Sequence, residues 1–123
     1  MALLAGPLAG PSARTGDVKL SSYPKGRVSV FKSGQWGTLC GHMFWNNQHG
    51  AAMVCKQLGY SEGGTWYKAP GGSGPVATGN RLCAGTEKNI FECQLCALGP
   101  CDEFGGCDHA NDIGVSCKGP TAP

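Results

Sequence analysis

The chain has 123 residues, with ten Lys and Arg against eight Asp and Glu, a formal net charge of +2. That length fits one domain, and so small a bias provides no basic stripe for nucleic acid, so no nucleic-acid partner is expected. Eight cysteines among 21 glycines and 8 prolines describe a loop-rich body that buries only about 65% of its unfolded surface; disulfides made in an oxidising compartment ordinarily compensate, so the protein is expected to be extracellular.

Residues 1–16 are rich in Ala, Gly, Pro and Leu without usable periodicity and are expected to be a flexible linker or tag. The apolar stretch near Ala2 to Leu8 contains Gly6 and Pro7 and falls far short of the ~20 residues that span a bilayer. No Lys or Arg precedes it, as a secretory signal would require. No direct membrane insertion is expected, and the chain reads as part of a larger multidomain protein. The folded domain is expected over 17–118, with a flexible tail at 119–123.

Val18 and Leu20 alternate with Lys19, and Arg27 to Phe31 alternates again, placing Val28 and Val30 on one strand face and Arg27, Ser29 and Phe31 on the other. Lys32 to Gln35 supplies a turn, with Gly34 suited to positive φ, and Trp36 to Cys40 returns as the second arm of a hairpin. Ala51, Val54, Cys55 and Leu58 then follow at i, i+3, i+4 and i+7, the spacing of one buried helix face. Asn46 or Asn47 is the expected N-cap, and Gly59 the left-handed stop. Gly50 in the first turn costs about 1 kcal/mol relative to Ala. Pro70 to Gly79 reads as loop, Glu87 to Cys93 as a second helical turn capped by Thr86 with Ile90 and Phe91 inward, and Ile113 to Cys117 as the last strand. The fold class is α+β: a small curved antiparallel sheet cradling one main helix, with long disulfide-tied loops.

Cysteines stand at 40, 55, 83, 93, 96, 101, 107 and 117, and eight allow 105 pairings. Cys93, Cys96, Cys101 and Cys107 also offer a rival reading, four thiolates for zinc or an iron–sulfur cluster. Their spacing lacks the two close pairs usual in zinc sites. Six blocks in order resemble the scavenger receptor cysteine-rich (SRCR) domain over residues 18–117. These are Gly26 to Val30, Gly34 to Cys40, Val54 to Tyr60, Gly72 to Pro75, Cys83 to Glu87 with Phe91 to Cys93, and Cys107 to Cys117. The resemblance implies pairing of Cys40 with Cys107, Cys55 with Cys117 and Cys83 with Cys93. Cys96 and Cys101 remain, in a segment longer than the family's usual spacing, and are expected to staple an inserted loop. The chain thus looks like the six-cysteine type with an additional pair.

Many members of that family bind calcium or magnesium through acidic pairs, but Gly41-His42, Gly79-Asn80 and Asn111 stand at those places here. Hard cations need several carboxylate oxygens, so no metal and no cofactor is expected. Asp112 is retained and is read as a carboxylate accepting local backbone hydrogen bonds. Asp102, Glu103 and Asp108 form a small acidic loop group read as solvated. His42 and His49 are read as hydrogen-bonding loop histidines, and Phe44 and Trp45 as core anchors rather than a sugar platform. No Gly-x-Ser-x-Gly, His-Glu-x-x-His or phosphate-loop Lys motif occurs, and the Gly72 to Ala77 match to Gly-x-Gly-x-x-Ala has no strand before it. The domain is expected not to be an enzyme.

By resemblance the function is recognition: an extracellular module for a protein, a glycan or a polyanionic surface. Scavenger-type members use a basic cluster for anionic ligands, and Lys25, Arg27 and Lys32 are the candidates here, weighed against ordinary solvated charge. The second reading is a disulfide-stapled spacer in an extracellular assembly.

Overall fold

The computed structural model describes residues 13–121. Most of the expected linker, residues 1–12, lies outside the described residues. Backbone contacts reach back into the remainder: Gly16 is buried, its N–H donates to the Phe31 carbonyl, and its carbonyl accepts from the Gln57 amide.

Among the described residues are eight strands and one α-helix: β1 (Val18–Leu20), β2 (Lys25–Lys32), β3 (Gln35–Leu39), α1 (His49–Gln57), β4 (Gly64–Lys68), β5 (Val76–Thr78), β6 (Arg81–Leu82), β7 (Gln94–Leu95) and β8 (Ile113–Cys117). The main sheet runs β4-β8-β2-β3-β5, with β1 also paired to β2, while β6 and β7 form a separate two-stranded ribbon. All pairs are antiparallel except β3 with β5.

The alternation of β2 decides which face is wet. Val28 and Val30 are fully buried, whereas Arg27, Ser29 and Phe31 keep partial exposure. Period-two geometry sends alternate side chains to opposite faces, and full burial of each Val contributes about 1.5–3 kcal/mol. Helix α1 lies against β4 and β8 on the inner face. There Ala51, Met53, Val54 and Cys55 join Leu20, Leu39, Phe44, Ile90, Ile113 and Val115 in the core.

Three local expectations differ from the fold. Within the expected loop Pro70 to Gly79, Val76–Thr78 is a strand, because its edge pairs with β3 and buries Ala77 and Thr78. The expected helical turn of Glu87 to Cys93 shrinks to a 3-10 turn, Ile90–Glu92, capped not by Thr86 but by Asn89, whose side chain accepts from the Phe91 N–H. Ile90 is buried and Phe91 only half-buried. The residue before α1 is Gln48, which makes no side-chain cap, while the Asn47 side chain accepts from the His49 N–H. Gly59 ends the helix at φ 95°, in the left-handed region where glycine costs least.

Candidate ligand-binding face

Cross-strand register collects side chains onto the outer face of the sheet. Lys19 stands opposite Ser29, Phe31 opposite Trp36, Arg27 opposite Gly114 and Lys25 opposite Ser116. Tyr67 lies over Gly114, where a Cβ would run into its ring. Along this face two ammonium groups rest on aromatic rings: Lys19 Nζ is 4.4 Å from the Trp36 centroid and Lys25 Nζ 4.7 Å from that of Tyr67. Phe31 and Trp36 meet edge to face at 5.2 Å. Neither Lys19 nor Lys25 has a carboxylate partner among the described residues.

Between them lies a buried polar knot. Asp112 is fully buried, and its carboxylate accepts from the Gly72 N–H at 2.9 Å and from the His109 ring at 3.0 Å, with Arg27 Nε at 3.6 Å. The hydrogen-bonding role expected for Asp112 is present, although its backbone donor comes from a distant loop. Arg27 donates Nε–H to the Ala69 carbonyl and Nη2–H to the Pro70 carbonyl, both at 2.8 Å. His109 reaches the Gly74 carbonyl through Nε2 at 2.8 Å. The Gly74 carbonyl, then the Asp112 carboxylate, raise the His109 pKa above its ordinary value, against smaller opposing effects of burial and of Arg27. Together these groups pin the Pro70 to Gly74 loop to the end of the sheet.

Of the three basic candidates, Lys25 and Arg27 share the outer face, and Arg27 spends much of its guanidinium on the knot. Lys32 has the parity of Val28 and Val30 and points the other way, its ammonium 3.1 Å from the Ala77 carbonyl and 3.6 Å from Glu103. Lys19 was not among the candidates. Its alternation with Val18 and Leu20 marked it as outward, but only the pairing of β1 with β2 brings it beside Ser29.

The acidic loop residues have separate tasks. For Glu103, burial raises the pKa, but the Thr78 hydroxyl, Lys32 and Arg81 outweigh it and leave the carboxyl below its ordinary range. Asp108 caps the turn at His109–Asn111 by accepting from the Ala110 N–H, and Asp102 is exposed. His42 bonds the Gly106 carbonyl, His49 is exposed, Phe44 is buried, and Trp45 is half-buried against Trp66 under Lys68.

All eight cysteines are paired: Cys40 with Cys107, Cys55 with Cys117, Cys83 with Cys93 and Cys96 with Cys101. No thiolate is left for the metal reading of Cys93, Cys96, Cys101 and Cys107.

A curled sheet, one helix and four disulfides define a small stapled domain whose distinctive chemistry is displayed on its surface. The family model "Scavenger receptor cysteine-rich domain" matches residues 18–118, and the chain belongs to that family. Solved relatives are the SRCR domain of mouse MARCO in its dimeric form, 32% identical with TM-score 0.62 over 76% of this chain and 86% of that one, and the third SRCR domain of murine neurotrypsin, 33% identical with TM-score 0.66 over 81% and 94%. Among curated proteins, human lysyl oxidase homolog 3 is 32% identical over 95% of this chain, and human lysyl oxidase homolog 2 is 36% identical over 78%. The chain spans only 16% and 12% of those two proteins. SRCR domains are extracellular, non-catalytic protein-interaction modules of multidomain proteins, and this domain is extracellular. No helix among the described residues is long and apolar enough to cross a membrane.

Proposed function

We propose that this domain is a non-catalytic recognition module of a larger extracellular protein, and that its outer sheet face takes a polyanionic ligand of the sulfated-glycan class. The observation that carries this reading is the pairing of Lys19 with Trp36 and of Lys25 with Tyr67 on one face, both ammonium groups free of carboxylates among the described residues. Rings stacked beneath cations offer sugar-ring contact and sulfate attraction together. Arg27 sits between the two and contributes its remaining exposed edge; Lys32, on the opposite face, would serve only a ligand that wraps the end of β2.

The test is heparin affinity of the purified domain over a salt series. Binding should weaken steeply as salt rises. The double variant K19A/K25A should lose about tenfold, two exposed charges at about 0.7 kcal/mol each, with R27A and K32A each losing less. Binding indifferent to salt, or to K19A/K25A, would refute the assignment, and no binding at all would leave the stapled spacer as the better reading.

A further inference from the structure

A second surface lies on the loop that joins β7 to the Cys107 disulfide. The segment 92–108 holds Glu92, Asp102, Glu103 and Asp108 but no Lys or Arg; Lys32 and Arg81 pair with Glu103 from neighbouring strands, and Asp102, exposed, has no cationic partner among the described residues. It also carries three of the large exposed apolar side chains: Leu98 at 64%, Phe104 at 46% and Leu95 at 40%. The loop is not slack. Cys96 and Cys101 staple it, the buried Asn80 donates its amide to the Asp102 and Gly105 carbonyls at 2.6 and 3.1 Å, and the Asn80 carbonyl accepts from the Cys96 N–H. Apolar side chains held outward by a cross-link and a satisfied buried amide form a prepaid binding edge, because little ordering entropy remains to be lost on contact.

We infer that this acidic, apolar loop docks on the outer sheet face of a second copy of the domain. The two surfaces match in chemistry: Leu98 and Phe104 meet the Phe31 and Trp36 rings, and Asp102 meets Lys19. They cannot meet within one copy. Phe104 lies 5.0 Å from Lys32 Nζ, at the end of β2 on the side opposite Phe31, whereas Trp36 and Lys19 occupy the outer face. A contact between two different patches is heterologous, so each copy retains one free loop and one free face, and association continues into open chains or a ring rather than stopping at a two-fold dimer.

The inference uses lysines named for the glycan but does not rest on glycan binding, and the test contains none. Sedimentation velocity of the domain at low salt should show a weight-average coefficient that rises with concentration without a dimer plateau, and that falls as salt is added. Two variants separate the halves of the contact: L98D/F104S removes the loop's apolar edge, and K19E/K25E reverses the face. All four positions are surface-accessible, so the melting temperatures should match the parent, a check made before sizing. Each variant alone should be monomeric. Mixed together they should form a one-to-one dimer, because the intact face of the first accepts the intact loop of the second. A parent that stays monomeric at the highest concentration, a closed dimer, or two variants that fail to pair on mixing would each overturn the inference; the first would assign the loop to a different partner.

Discussion

His109 sits where both ring nitrogens face acceptors, the Asp112 carboxylate and the Gly74 carbonyl. A neutral imidazole has one N–H and can satisfy only one of them; the imidazolium satisfies both. Because its folded pKa is raised, protonated His109 stabilises the folded state. That contribution is complete below the ordinary histidine value of about 6.5 and is lost as pH climbs through the raised value. Thr38, Arg27 and Asp112 are the polar and charged groups facing the ring, with the loop carbonyl beyond. Amide exchange at Gly72, whose N–H is held by Asp112, is therefore expected to speed up between mildly acidic and mildly alkaline pH beyond the intrinsic rate, and H109Q should abolish that excess. An unchanged excess in H109Q would exclude His109 as the source. That Asp112 accepts hydrogen bonds was legible in the sequence. Its partners were not: Gly72 and Arg27 are far away along the chain, and no local pattern announces them.

Elements tell a similar story through α1. The i, i+3, i+4, i+7 pattern located the helix, whose buried face carries Ala51, Val54 and Cys55, and Gly59 marked its stop, while the expected N-caps Asn46 and Asn47 lie one or two residues before the observed Gln48. Helix propensity alone makes Gly50 a weakness that Ala would repair by about 1 kcal/mol. Packing reverses the sign. A Cβ at Gly50 would enter the ring of Phe44, which is itself fully buried and unable to retreat. G50A should therefore destabilise by about 1–3 kcal/mol in urea unfolding, and a gain in stability would show that the Phe44 ring can yield. The unrecognised strands fail for a related reason. Gly64–Lys68 alternates weakly and is half-buried, and Val76–Thr78 is three residues long among Gly and Pro, so each is defined by the neighbour it pairs with, β8 and β3 respectively. The outer face inherits this limit: Tyr67 reaches Lys25 only because β4 and β2 flank β8.

For the molecule as a whole, cross-links rather than core volume set stability. The Cys40–Cys107 bridge spans 67 residues and the Cys96–Cys101 bridge 5, and the chain-entropy relation gives about 4 and about 2 kcal/mol for loops of those sizes, not additive because Cys55–Cys117 overlaps the longer one. Removing the short bridge as C96A/C101A should lower the melting temperature by no more than about 10 °C while the fold survives. Removing the long one as C40A/C107A should cost about twice as much. Equal shifts in calorimetry would contradict the loop-size account. Cysteine positions alone left 105 connectivities open; the resemblance to the SRCR family implied Cys40–Cys107, Cys55–Cys117 and Cys83–Cys93 and left Cys96 with Cys101 as a loop staple, and all four pairs are present.

The strand that joins β4 to β2 in the main sheet, β8, is also the last strand of the domain to be synthesised, and it carries Cys117, the partner of Cys55. While residues 113–117 are still inside the ribosome, β4 has no neighbour to pair with and the valines of β2 are only partly roofed. Completion of the sheet, the joining of β4 through β8 to β2, must therefore wait until translation of the domain is finished. During that interval the Cys55 thiol, 62 residues from its partner, stays open to wrong partners, which places the quality of this protein in the hands of the secretory pathway's oxidases and isomerases.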